Sequence, residues 1–376
     1  MAEAADPKME LTPADAAAIE DARAHAVEEL LSPEAPHSNV VGVAAGVKWR
    51  NGEPTGDPAV LALVTHKVDK SELAGDDLVP AKIGTTRTDV LEIGFPMIER
   101  AQVQLPATVV NGSGAVEETE HVAVVPQVPL VGAEALARRA RPAEGGYSVG
   151  HFKITAGTIA TCVYDLLPGA ATGSRPRPGV GMPQRFYILS NNHVLANVNA
   201  AMVGDPILQP GPFDGGTFPT DLIARLSRFI PITLEPPTPR ILHRNLVDAA
   251  VAEGQFHDLD REIYWGGYVR GWRRRANVAV GTIVQKTGRT TNFTTGRITA
   301  INATVDVGFG AGRIGRFQDQ IITTNMSAGG DSGSLVVTPD EVAVGLLFAG
   351  SSVATIANQI ENVRSLLRVE VAEQIL

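Results

Sequence analysis

The sequence predicts a mainly β chain with a smaller N-terminal α/β part. Three observations carry this. From residue 150 onward short β-rich runs follow one another, among them KITAGTIATCVYD, RFYILSNNHVL, VAVGTIVQKTG, TTGRITAINATVDV and EVAVGLLFAG. Turn residues separate these runs, and no helix-period stretch interrupts them until Asn358. Before residue 95 the pattern is mixed, with one amphipathic helix and several strands. Many short strands between turn signals imply a sandwich or a barrel.

The elements can be justified in order. Thr12, Pro13 and Asp15 make a helix start, with a capping hydroxyl, a proline in the first turn and an acid near the positive end of the helix dipole. Ile19, Ala22, Ala26, Val27 and Leu30 share one face, and Ser32-Pro33 stops the helix. Residues 39–49 and 59–66 read as strands joined through the turn-rich Asn51–Pro58 stretch, a hairpin pattern. A short helix is expected within 71–83 and a strand over 88–95. Residues 96–147 are less regular, with apolar alternation at Val103–Val110 and Val122–Val125. ALARRARPAEGG at 135–146 reads as a linker. Ile360, Val363 and Leu367 predict a C-terminal helix over 358–368. The expected division is residues 1–134 as an N-terminal accessory domain, 135–147 as a linker and 148–376 as the β-rich domain.

Composition narrows the class. The chain has 376 residues, 44% hydrophobic and 19% charged, which suits a globular protein with a sizeable core. A net charge of −9 makes general nucleic-acid binding unexpected. No apolar run reaches the length of a membrane span. The single cysteine, Cys162, rules out an internal disulfide, and the acidic, alanine-rich N-terminus does not read as a secretory signal. A cytoplasmic location is expected from both.

The chemistry centres on NMSAGGDSGSLVV at 325–337. Glycines permit positive φ and close approach, so Ser332 is either an ordinary turn residue or a positioned nucleophile. A Gly-x-Ser-x-Gly nucleophile elbow is excluded, because Ser334 stands where glycine is needed and a strand-like LVVTP follows instead of a helix. An activated serine needs a base and a group that orients the base. His193 ends an apolar strand after the polar step Asn191-Asn192. Asp248, flanked by apolar residues, is costly to bury unless paired. Singly, each also has an ordinary structural reading.

In chain order, the segments ILSNNHVLA, LVDAAVAE and GGDSGSLVV resemble the three catalytic segments of the chymotrypsin-fold (trypsin-like) serine proteases. The resemblance covers residues 148–368. It extends to VGLLFAGS at 344–351, which looks like the strand lining that family's substrate cleft. NVVGVAAGVK, TDVLEIG and KTGRTTNFTTGRI resemble bacterial relatives of the plant narrow-leaf trypsin-like proteins. The family resemblance implies a double antiparallel β-barrel with the active site between the barrels. It implies His193, Asp248 and Ser332 as catalytic residues and the N–H groups of Gly330 and Ser332 as the oxyanion hole. It implies Met326, Phe348, Ala349 and Gly350 as substrate-binding residues, with Met326 at the base of the primary pocket. The substrate implied is a polypeptide, with no cofactor and no metal. Two departures stand out. Val194 follows the histidine where many secreted relatives carry cysteine, and RPAEGGYSVG lacks a zymogen cleavage sequence. Asp331 must therefore find a partner other than a freed N-terminal amine, an arginine or backbone donors being the expectation.

Other motifs have plainer readings. GAGRIG at 310–315 fits a dinucleotide pattern but precedes a strand, so a hairpin loop is expected. RGWRRR at 270–275 reads as a solvated loop or a subunit contact, and His257, Asp258 and Asp260 lack a metal-ligand spacing. The functional expectation is a serine endopeptidase, with room for a homo-oligomer. The rivals are a catalytically silent binding or scaffold protein of the same fold, and a protease silent until a partner orders the Gly330 loop.

Overall fold

The computed structural model describes residues 7–34, 37–50, 53–98, 133–154, 156–166 and 185–371. The expected alternations at 103–110 and 122–125 lie outside the described residues. Thr12 caps α1 (Pro13–Ala18) by accepting from the Asp15 N–H. The expected single helix breaks at Ile19, where φ is −106° and ψ 5°, and resumes as α2 (Glu20–Leu30). The face built from Ala16, Ile19, Ala26 and Leu30 is buried, as its spacing requires.

Strands β1 (Val40–Arg50) and β2 (Glu53–Val64) form the expected hairpin. β3 (Lys82–Ile83), β4 (Thr86–Glu92) and β5 (Met97–Ile98) follow. The helix expected within 71–83 is one turn of 3₁₀ structure at Gly75–Asp77. The stretch holds Asp76, Asp77 and Pro80, which favour turns over helix propagation.

The first barrel follows a short helix α3 (Ala133–Leu136) and strand β6 (Ala143–Gly145). Its strands are β7 (Ser148–His151), β8 (Gly157–Thr158), β9 (Thr161–Asp165) and β10 (Phe186–Ser190). A one-turn helix α4 (Asn192–Leu195) precedes β11 (Pro206–Leu208), β12 (Leu222–Phe229) and β13 (Ala250–Gly254). With a late strand, β23 (Val369–Glu370), these pair antiparallel in the order β23-β9-β10-β13-β12-β11-β7-β8. β14 (Leu259–Ile263) lies between β6 and β15 (Gly267–Tyr268) in a small sheet. The stretch expected as a linker is thus built in: β6 is hydrogen-bonded to β14, and Arg141 bonds the Gln209 side chain.

The second barrel uses β17 (Ile283–Gly288), β18 (Asn292–Gly308), β19 (Ile314–Thr324), β20 (Leu335–Val337), β21 (Val342–Gly350) and β22 (Ala354–Gln359), with β16 (Gly271–Trp272) beside β21. The order β17-β20-β21-β22-β19-β18 closes on itself through β18–β17 pairing, antiparallel throughout. β20, β21 and β22 are buried along their whole length. GAGRIG is the β18–β19 turn, with Gly310 and Gly312 at φ of 76° and 69° and Arg313 N–H donating to the Gly310 carbonyl. α5 (Ile360–Leu367) and β23 (Val369–Glu370) return the chain to the first barrel, and Ile360, Val363 and Leu367 are buried as their spacing requires. The architecture is the mainly β, double-barrel class expected, with a smaller N-terminal α/β part.

That N-terminal part is not joined by a linker alone. β1 pairs antiparallel with β18 through Gly42↔Val305, Val43↔Thr304 and Ala45↔Ile301, so strands from both sides of residues 135–147 share one sheet. Leu11, Ala16, Ile19, Ala45 and Val47 enter the same apolar cluster as Val278, Val284 and Ile298. Burial of side chains this size stabilises by roughly 1.5–3 kcal/mol each for the larger ones. The sequence suggests that 148–376 folds alone, whereas this shared core argues that the fragment exposes an unpaired edge and loses part of its core. We expect residues 148–376 expressed alone to aggregate or to lack a cooperative thermal transition by circular dichroism, where the full chain melts cooperatively. A sharp melt of the soluble fragment near the full-length Tm would refute this.

Candidate active site

β10 and β13 are antiparallel neighbours, with Ser190 opposite Ala250. His193 leaves the end of β10 and Asp248 lies just before β13, so adjacent strands bring both to one rim. His193 sits in α4 rather than in the strand itself, and is 2% exposed; Asp248 is fully buried. The Asp248 carboxylate grips the histidine twice. Oδ2 lies 2.6 Å from Nδ1, and Oδ1 accepts the His193 backbone N–H at 3.1 Å. The main chain of Asp248 is fixed as well, its N–H donating to Asn358 Oδ1 at 3.0 Å and its carbonyl accepting from Asn191 Nδ2 at 2.8 Å. Asn358 in turn donates to Gln320 Oε1 at 2.7 Å, anchoring the acid to β19 and β22 of the second barrel. A buried carboxylate hydrogen-bonded on both oxygens fixes the ring orientation and favours a proton on Nδ1. The ring's Nε2 is buried and makes no hydrogen bond among the described residues.

Ser332 lies where the barrels meet. The Thr158 N–H donates to the Ser332 carbonyl at 2.7 Å, and Ser190 Oγ donates to the Thr158 carbonyl at 2.7 Å. The serine turn is thus joined through β8 to the end of β10, three residues before His193. Ser332 Oγ donates to the Phe348 carbonyl at 3.3 Å. Gly330 and Gly333 take φ of 102° and 97°. A Cβ on Gly333 would stand 2.1 Å from Ser190 Oγ, so this glycine answers both to dihedral and to space.

Asp331 finds a lysine, not an arginine. Lys286 Nζ lies 3.1 Å from Asp331 Oδ2, and both side chains are fully buried. Backbone donors complete the set: Thr290 N–H at 2.9 Å and Thr291 N–H at 3.1 Å to Oδ1, Ala328 N–H at 3.1 Å to Oδ2, with the Thr291 hydroxyl also donating. Lys286 further donates to the Asn292 carbonyl at 3.1 Å and to Thr291 Oγ1. The sequence carries a signal for this partner. Lys286 falls two residues after buried Val284, on the inward face of β17, where a lone lysine needs an acid.

The expected substrate-binding residues divide. Phe348, Ala349 and Gly350 lie together on β21, and the Phe348 ring packs on Phe317 at 4.8 Å, leaving backbone rather than side chain toward Ser332. Met326 is 4% exposed and belongs to the second-barrel core, its sulfur against Gly296. Beside it, Ser327 Oγ and Thr355 Oγ1 are 2.7 Å apart. Asn358, Gln320 and Lys286 are positioning residues that the motif segments did not single out.

A second histidine–acid pair shows what sets the first apart. His151, at the end of β7, has Nε2 3.0 Å from Oδ2 of Asp205, the residue just before the neighbouring strand β11 of the same barrel. Asp205 is partly exposed and no serine turn adjoins it in the hydrogen-bond network. Burial pushes the His151 imidazole below its ordinary value, against the pull of Asp205. The Met202 N–H and then His151 hold Asp205 below its own.

No family model matches the chain. Over 78 residues it is 44% identical to glutamyl endopeptidase 2 of Streptomyces griseus, a match covering 20% of this chain and 37% of that protein. The chain thus spans little more than a third of the length of that relative. Among solved structures, Thermobifida fusca protease A aligns over 61% of this chain and 98% of its own at 16% identity and a TM-score of 0.41. A glutamic-acid-specific serine protease, described as using a histidine triad in substrate binding, aligns over 60% and 98% at 19% identity and a TM-score of 0.39.

Two tests follow. Lys286→Met leaves a buried carboxylate unpaired and should cost about 3–5 kcal/mol in urea unfolding, with Asp331→Asn in the same background restoring part of it. Unchanged stability of Lys286→Met would show the pair is not needed. For pH, a lowered His151 value means the unfolded chain takes up a proton first as pH falls, so stability is full above about 6.5 and declines below it. Asp205 adds its loss only below about 3.8. His151→Gln should therefore lose less Tm than wild type between about pH 7 and 5, and an identical loss would contradict the assignment. In its recognisable segments the chain is similar to the bacterial chymotrypsin-fold serine proteases.

Proposed function

We propose that the chain is a serine endopeptidase acting through His193, Asp248 and Ser332. The observation that carries this is the buried Asp248 gripping His193 at both Nδ1 and N–H, with Nε2 making no hydrogen bond among the described residues. In the proposed reaction Ser332 Oγ attacks a peptide carbonyl while His193 Nε2 takes its proton. The N–H groups of Gly330 and Ser332 stabilise the tetrahedral oxyanion. The C–N bond breaks, the proton passes to the leaving amine, and water hydrolyses the acyl-enzyme by the same route. Asp248 holds the tautomer and stabilises the imidazolium.

Met326 brings no charge to the primary pocket, and apolar or small residues before the scissile bond are our first reading. Glutamate is the second, supported by the name of the relative and by the Ser327 and Thr355 hydroxyls beside Met326. A peptide-library profile separates the two, and dominance of Arg and Lys would contradict both. A reducing, cytoplasmic setting is proposed on the single buried Cys162, whose thiol burial pushes up to about 12.

Ser332→Ala and His193→Ala should each reduce turnover on the order of 10³-fold or more, with the double variant hardly worse than either. Asp248→Asn should be similarly severe through the wrong tautomer, while Asp205→Asn retains most activity. The readout is hydrolysis of a peptide the wild type cleaves, with matched melting curves. Near-wild-type cleavage by folded Ser332→Ala would refute the mechanism. Absence of fluorophosphonate labelling under all conditions would favour the scaffold reading, and labelling only in the presence of cell extract would favour partner activation.

A further inference from the structure

The part of β21 nearest Ser332 already has an added strand. β5 pairs antiparallel with it, Met97 opposite Gly350 and Ile98 opposite Ala349. Passing from Met97 to Ile98, the chain runs toward Phe348, the residue whose carbonyl accepts from Ser332 Oγ. An extended peptide added to a sheet edge takes its affinity from such main-chain pairing and its specificity from alternate side-chain sites.

The local sequence is fitted to this seat. The Ser351 hydroxyl donates to the Ile93 carbonyl, and Gly94, at φ of 67°, turns the chain so close to Ser351 that a Cβ would stand 2.8 Å from it. The Pro96 carbonyl accepts from Gly308 N–H at 2.8 Å. Met97 lies over Gly308, where any Cβ would meet its sulfur at 2.3 Å. Ile98 is 6% exposed and packs in one cluster with Phe348 and Ala349 of the second barrel and with Val198 and Ile232 from the loops of the first. It therefore sits where the two barrels meet, five residues in sequence from His193 through Val198.

We infer that β5 occupies the peptide-binding edge of β21 as a substrate strand would, so that the folded chain covers part of its own cleft. This rests on the proposed protease reading, which makes residues 348–350 the substrate strand. It also defines the peptide this edge takes: an extended chain with a branched apolar residue at the Ile98 position and a long apolar residue at the Met97 position. Another peptide binds only when β5 is displaced, and its apparent affinity falls with the fraction of molecules in which the edge is open.

The test compares wild type with Ile98→Asp, which places a charge in the apolar seat, and with Met97→Pro, which removes an N–H from the strand at a more exposed position. Matched melting curves establish that each variant is folded. Labelling of Ser332 by a fluorophosphonate and kcat/KM on a cleaved peptide should rise at least about tenfold in either variant. A fluorescent peptide of the sequence 93–98 should bind Ile98→Asp combined with Ser332→Ala, and not Ser332→Ala alone. Wild type reacting as fast as both folded variants would overturn the inference, as would equal peptide binding by the two Ser332→Ala proteins or binding by neither. Selective peptide binding without labelling in any protein would leave β5 as the occupant and remove the catalytic reading instead.

Discussion

The Ser332 turn depends on one buried ion pair. Asp331 stands between Gly330 and Ser332, and its carboxylate has no water to turn to. Taking a carboxylate and an ammonium out of water costs several kcal/mol per ion unless further hydrogen bonds complete the set. Here the set is complete: Lys286, three backbone N–H groups and the Thr291 hydroxyl surround the two oxygens. Gly288 makes room, since a Cβ there would stand 2.4 Å from Asp331 Oδ1. Most of these donors lie on β17 or the turn after it, so the strand that closes the second barrel also fixes the residue beside Ser332. Barrel closure and the shape of the turn are coupled, and no free chain terminus is needed to hold the acid.

The His193–Asp248 side has a different logic. Both histidine–aspartate pairs lie in the first barrel, yet only one is tied across to the second. Asp248 reaches Asn358 and, through it, Gln320, whereas Asp205 is partly exposed and held by its own loop at Met202. A buried, doubly bonded carboxylate can orient an imidazole and balance its charge in a low-dielectric setting, where the interaction is stronger than in water. An exposed one is screened. The amide relay from Asp248 through Asn358 to Gln320 sets the position of the acid relative to the barrel that carries Ser332.

How much of this was legible in the sequence follows from the range of each interaction. The strand-rich class, the Thr12 cap, the GAGRIG hairpin and the C-terminal helix are local patterns, written in neighbouring residues. The three candidate catalytic segments were legible as a resemblance, although nothing in composition or spacing could bring Asp248 to His193. Lys286 was half legible: its inward position calls for an acid, but its partner lies 45 residues on. The place of Met326 six residues before Ser332 points to a pocket base, but spacing does not show that its side chain is 4% exposed and packs in the apolar cluster of the second barrel. The pairing of β1 with β18 was out of reach, since an edge-to-edge contact across more than 250 residues leaves no periodic trace. The division at 135–147 followed local composition, in which Arg, Pro and Gly read as a linker even where Ala143 and Gly145 are buried in a sheet.

Sheet edges connect these observations. Inside a closed barrel every strand has two neighbours, and only the parts of strands that overrun the barrel present free N–H and C=O groups. β18 and β21 both overrun it. The N-terminal region meets both overhangs, β1 along β18 and β5 along the end of β21. The two contacts differ in scale. β1 pairs with β18 over Gly42–Ala45 and contributes Ala45 and Val47 to a shared apolar cluster, so it belongs to the fold. β5 is two residues long, and it is held by Ile98, by its pairing with β21 and by a single pairing of Met97 with Gly308 of β18. A strand that short has little independent stability, and opening of low-stability segments costs far less than global unfolding. The same N-terminal region therefore pairs with the barrel at both overhangs, and on the inference drawn above the shorter contact, at β21, is the one that exchanges for another peptide.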